Sequence, residues 1–186
     1  MRTENIEKYL ESFGKQVANR AKGALRRKKG GGTALENSIK FDVVKTSSGY
    51  EVEFSMLDYG AYVDKGVSGT QVKRSYTDYM SQRKSSPFSY KNSPGSSQPP
   101  SKALDKWVVK NNLKGTRDKS GKFISRKSIT FLVARSIGKR GIQGISFFQK
   151  PLSLGLKEFG SEFLEKLSLD IVDQIGVENN LLNPKL

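Results

Sequence analysis

Two short stretches alternate strictly between apolar and polar residues, and they restrict the fold more than anything else in the chain. Over Ile39–Lys45, Ile39, Phe41 and Val43 alternate with Lys40 and Asp42. Over Tyr50–Met56, Tyr50, Val52, Phe54 and Met56 alternate with Glu51, Glu53 and Ser55. A period of two puts successive side chains on opposite faces of a strand. Ser47, Ser48 and Gly49 lie between the stretches as turn residues, so the expected element is a β-hairpin with one face to bury. Two strands cannot close a core on their own. Something else in the chain has to cover that face, and the free edges have to be covered or paired.

Amphipathic helices are the expected cover. Residues 3–25 place Ile6, Leu10, Phe13, Val17, Ala21 and Leu25 near a 3.6-residue period. Thr3 is the expected N-cap, with Glu4 and Glu7 favouring the positive end of the helix dipole. Arg26, Arg27, Lys28 and Lys29 suit its C-terminal end, and Gly30–Gly32 end it in a hinge. A short helix or turn is expected over Asp58–Gly66. Residues 102–113 have Leu104, Trp107 and Val108 on one side, and 126–138 point Ile129, Leu132, Val133 and Ile137 inward. A long last helix over 151–176 carries Leu152, Leu156, Phe159, Phe163, Leu167, Ile171 and Ile175. Pro151 suits its first turn. Segregated strands and helices define an α+β class. The small antiparallel sheet (hairpin 39–56) would be packed by the N-terminal helix, the 126–138 helix and the C-terminal helix. The expected organisation is a single domain over 1–186, with an insertion at 67–124, loop-rich over 67–101, and a loose tail at 177–186.

Charge is distributed very unevenly. The chain has 33 Lys and Arg against 18 Asp and Glu, a net +15. Residues 71–150 alone hold 18 basic and 3 acidic side chains, whereas 151–186 are net −3. A block this basic needs a polyanion or a negatively charged partner. Arg26, Arg27, Lys28, Lys29, Arg117, Lys119, Lys122, Arg126, Lys127, Lys139 and Arg140 are the expected DNA- or partner-facing cations. The insertion interleaves aromatics with cations, and Tyr76, Tyr79, Arg83, Phe88 and Tyr90 are expected in an arm that orders on a neighbouring subunit. The competing reading stacks those rings on single-stranded bases.

Other classes lose ground on composition. The chain has no Cys and no His, so thiolate chemistry is excluded and the commonest general base and metal ligand are missing. The carboxylate pairs Glu51/Glu53 and Asp170/Asp173 fall on faces expected to be exposed, and no phosphate-binding glycine motif occurs. The expectation is a protein that is not an enzyme, with no cofactor and no catalytic or metal residues. No apolar run is long enough for a membrane span, and the first residues lack a signal-peptide pattern; no membrane partner is expected.

Three segments, in order, resemble the tail-completion and head–tail connector (neck) proteins of tailed bacteriophages. Thr33-Ala34-Leu35-Glu36-Asn37-Ser38-Ile39 is similar to the pattern Thr-Gly-x-Leu followed by Ser-Ile that opens the family's first strand, with Ala34 in place of Gly. Tyr59-Gly60-Ala61-Tyr62-Val63-Asp64-Lys65-Gly66 is similar to Tyr-Ala-x-Tyr-Val-Glu-x-Gly. Ile137–Ile142 with Phe147, Phe148, Pro151 and Leu152 is similar to the family's helix, Lys-Gly-Ile turn, Phe and final helix. Together they span roughly 1–66 and 125–176. The resemblance implies structural roles for Leu35, Ser38, Tyr59, Tyr62, Val63, Asp64, Gly66, Gly141 and Phe148. Tyr59, Tyr62 and Val63 would lock the short helix on the hairpin, Gly66 would cap it, and Asp64 would be a surface charge or intersubunit partner. It further implies a virion protein assembled in the host cytoplasm: a homo-oligomeric ring of six or twelve copies that contacts the portal and other neck or tail proteins and surrounds the passing genomic DNA. The alternative from a different class is a basic nucleic-acid-binding protein for DNA packaging or RNA binding.

Overall fold

A computed structural model describes residues 4–92, 97–113, 117 and 119–182, without the side chains of 92 and 173–182. The fold is α+β. Helices α1 (Glu4–Lys29) and α2 (Ala34–Ser38) precede the hairpin of β1 (Lys40–Thr46) and β2 (Gly49–Ser55). Then come α3 (Gly60–Lys65), a second small hairpin of β3 (Ser75–Thr77) and β4 (Arg83–Ser85), 3-10 turns at Tyr90–Asn92 and Ser101–Leu104, α4 (Asp105–Lys110), α5 (Arg126–Arg140) and α6 (Gln149–Leu182). The chain forms two compact units. The first comprises 1–60, 78–82 and 147–186; the second comprises 61–77 and 83–146.

The first unit follows from the side-chain pattern. Ile6, Leu10, Phe13, Val17, Ala21 and Leu25 are all buried along one stripe of α1. Each fully buried large apolar side chain contributes about 2 kcal/mol. Helix α1 also lies against the hairpin, whose strands pair antiparallel with Phe41 opposite Phe54 and Val43 opposite Val52. Burial alternates along all of β2 and over Lys40–Val44 of β1, as period two requires. Gly14 allows the close approach: a Cβ there would lie 2.3 Å from the Phe41 ring. On another side α6 packs along α1, with the Phe13 and Phe159 ring centroids 5.0 Å apart and Gly155 set against Phe13 and Val17.

Thr3 lies outside the described residues, and the first-turn N–H groups are capped from the far end of the chain. Asp170 accepts from the backbone N–H of Asn5 at 3.1 Å and of Ile6 at 3.0 Å, and from the Asn5 side chain at 2.8 Å. Its expected place on an exposed face is therefore corrected: Asp170 is 1% exposed. Burial pushes its carboxyl up, but the N–H groups of Ile6 and Asn5 more than offset this and hold it below the usual carboxylate range. The side chain of Asp173 is outside the described residues. Leu156 and Ile171 are also displaced from the expected core, being 41% and 42% exposed. The loose tail expected from 177 is helix as far as Leu182, and 183–186 lie outside the described residues.

The second unit is joined mainly through backbone. Val67 and Ile142 exchange two N–H···O bonds of 2.8 Å, Thr70 donates to Gly138, Gln71 donates to Lys139, and Ser68 and Phe88–Tyr90 pair alongside. Glycines make this crossing possible. A Cβ on Gly69 would sit 2.1 Å from the Lys139 carbonyl oxygen, one on Gly141 2.2 Å from that of Val67, and one on Gly66 2.4 Å from the Gly144 nitrogen. Gly66 and Gly141 also have φ of +74° and +70°. Within the stretch 67–101 the described chain is mostly irregular, with the short β3–β4 hairpin and single bridges at Val67 and Ser68 set into it. Helix α5 packs on α4 and the 3-10 turn Ser101–Leu104. Ile129 is buried on that side, whereas Leu132, expected inside, is 52% exposed, and Trp107 is 47% exposed beside a buried Val108.

Candidate functional site

The two units differ in charge as sharply as the linear block 71–150 differs from the rest of the chain. The first holds 15 basic and 15 acidic residues and is neutral. The second holds 18 basic and 3 acidic and carries the whole +15. Seven of the eleven expected cations belong to it: Arg117, Lys119, Lys122, Arg126, Lys127, Lys139 and Arg140. The other four end α1 in the first unit.

Those four are not equivalent. The Arg26 guanidinium grips Glu36 from Nε at 3.0 Å and Nη2 at 2.5 Å, and Gly32 N–H donates to the other carboxylate oxygen at 3.0 Å. Glu36 is buried, and the Arg26 hydrogen bond is the main cause holding its carboxyl below the usual range. Arg26 therefore fastens the Gly30–Gly32 turn to α2, while Arg27, Lys28 and Lys29 are exposed.

In the second unit Arg117 sits 3.8 Å over the Phe123 ring and donates to the Gly121 carbonyl at 2.7 Å. Arg126 pairs with Asp105 at 2.8 Å. Lys119, Lys122, Lys127 and Arg140 are exposed, and Lys139 is half-buried. The Arg140 carbonyl accepts from Arg74 Nε at 2.8 Å, and Arg74 is a cation that no motif marks as structural. Exposed aromatics stand in the same unit: Trp107, Phe123 and Phe131 are 47%, 62% and 48% exposed.

The expected arm residues fold back onto their own chain. Tyr76 lies under Lys65, Phe88 packs on Tyr62 with centroids 4.2 Å apart, and half-burial raises the Tyr90 phenol above its usual range. Arg83 is exposed and donates to Ser75 at 2.9 Å. Tyr79, at the tip of the second hairpin, is exposed and belongs to the first unit, where its N–H donates to Gln149.

Of the motif residues, Leu35 is buried, and Ser38 links the Leu35 carbonyl to the Leu57 N–H. Phe148 packs edge-on against Phe54. Gly66 N–H donates to Tyr62 as a helix cap, and Val63 accepts from Ile145. Two expectations are corrected. Tyr59 and Tyr62 are nearly half exposed, and Tyr62 meets Phe88 instead of the first hairpin. Asp64 is 3% exposed, with its carbonyl accepting from Ser146, so it is no surface charge.

Among the described residues no group of three acidic, His or Cys side chains is arranged to hold a metal, and no helix is long and apolar enough to cross a membrane. No family model, no curated protein and no solved structure matches this chain.

Proposed function

We propose that the chain is a structural subunit of the ring between head and tail of a tailed bacteriophage. It would occur in six or twelve copies, bind the portal and neighbouring neck or tail proteins, and surround the DNA channel without catalysing a reaction. The observation that carries the reading is the separation of a neutral unit from one holding the full +15. A subunit between an acidic neighbour or genome and a structural wall needs one face of each kind. The three segments that resemble neck proteins supply the identity of the assembly.

One observation favours a second reading. Trp107, Phe123 and Phe131 stand exposed among cations, as on a surface that binds nucleic acid directly. Light scattering of the purified chain, alone and with the cognate portal over a range of salt, separates the two. Ring formation or capture by the portal is expected. A monomer that binds DNA in a salt-sensitive way and ignores the portal would leave the second reading standing and remove the first.

A further inference from the structure

Two helices carry exposed stripes of opposite charge, each interrupted by apolar side chains. On α6, Leu154, Glu158, Glu162, Glu165, Leu169 and Val172 follow one another at steps of three or four, which places them on one face. All six are exposed, Leu154 at 52% and Val172 at 63%. The face of α6 against α1, with Gly155, Phe159 and Phe163, flanks this stripe. Glu162 marks the edge of the stripe nearest α1: burial first, then its hydrogen bond with Tyr9 and the charges of Glu162 and Glu158, push the Tyr9 phenol up to about 12. Glu165 has only an exposed pairing with Lys166. On α5, Lys127, Phe131, Leu132 and Arg135 are exposed on one side of the helix, and the half-buried Lys139 ends that stripe. Phe131 and Leu132 are about half exposed. Lys127 to Lys139 spans about 18 Å along the helix, shorter than the α6 stripe.

We propose that the α5 stripe of one copy docks on the α6 stripe of a second copy. The inference deepens the ring reading and rests on it for its setting. Like charges exclude the symmetric alternatives, because α6 on α6 sets glutamates against glutamates and α5 on α5 sets cations against cations. Only the heterologous pairing matches both charge and apolar content. A heterologous contact repeats from copy to copy, as a ring does when its rotation closes. Phe131 and Leu132 in mid-stripe separate this partner from a nucleic-acid backbone: phosphates reward cations alone, whereas Leu154, Leu169 and Val172 give the two apolar side chains something to bury against.

The test uses sedimentation of the full chain. Lys127→Glu, Arg135→Glu and Lys139→Glu together, or Glu158→Lys, Glu162→Lys and Glu165→Lys together, are each expected to weaken self-association by about a hundredfold. Mixing the two reversed chains restores it, because each then offers what the other lacks. Phe131→Ser with Leu132→Ser reports on the same face without changing charge, and is expected to weaken association at an unchanged melting temperature. A wild-type chain monomeric at millimolar concentration overturns the proposal. So does a reversal that leaves association intact, a mixture that fails to restore it, or an α5 reversal that abolishes binding to a short DNA duplex while copies still associate. Association through these stripes without capture by the portal would remove the neck reading and keep this contact. Capture of chains that never self-associate would do the reverse.

Discussion

In the first unit side chains close the core: Leu10, Val17, Ala21 and Leu25 of α1 are buried, and Phe13 meets Phe159 across a helix contact opened by Gly155. In the second unit main chain closes on main chain. Five glycines, 66, 69, 138, 141 and 144, stand where a Cβ would fall between 2.1 and 2.5 Å from a backbone atom. Far fewer large apolar residues are buried there, among them Val67, Val108 and Ile129. The difference has an electrostatic reason. A segment with 18 cations has little apolar sequence left for a core, and backbone hydrogen bonds do not depend on side-chain composition. Its self-repulsion then falls on exposed side chains in water, where it is screened.

The largest loss is expected from Gly141→Ala. The new methyl group meets the Val67 carbonyl at 2.2 Å on a residue with φ of +70°, and about 4 kcal/mol of the second unit's stability should be lost. Hydrogen exchange would show faster amides over 66–72 and 138–146 with α1 and α6 protected; equal loss in both units would end the distinction. Next is Asp170→Ala, which leaves the buried N–H groups of Asn5 and Ile6 unpaired. It should cost about 3 kcal/mol, read by denaturant unfolding. The pH dependence has a definite sign. Asp170 and Glu36 have lowered carboxyl pKa values, so their stabilisation is complete above the ordinary carboxylate range near pH 4 and is lost as pH falls through their folded values. The wild-type first unit should loosen in acid below about pH 4, and Asp170→Ala should flatten that limb. The smallest effect is expected from Arg126→Ala. Its pair with Asp105 is exposed on both sides, so about 0.5 kcal/mol or less should be lost, and a larger loss would mean that ion pairs share in holding the second unit.

Legibility in the sequence divides along the same line. The hairpin and α1 could be read because burial and periodicity coincide at Phe41, Val52, Leu10 and Val17. Helix α6 could be read as an element, but its inner face could not be set from spacing alone. Leu156 and Ile171 fit an apolar stripe as well as Phe159 does, and only the partner helix decides which of them is covered. Asp170 could not be found, since its partners are backbone groups 165 positions earlier. In the second unit the sequence marks its glycines at 138, 141 and 144 but not what they approach. Gly141 meets Gly69 and Gly144 meets Gly66, a signal that needs two segments to be read together. The basic candidates of the second unit were visible by composition, because the block 71–150 already carries the +15, and the fold changes only its edges: Asp78–Gln82 and the stretch from Phe147 onward belong to the neutral unit.

The carboxylate of Asp170 also orders events in time. At ribosomal speeds it is translated roughly ten to thirty seconds after the amides it serves, with the whole cationic unit made in between. Until then the opening helix has bare amides at its start and an uncovered greasy flank, so a nascent chain stalled before α6 would offer a chaperone its most adhesive surface.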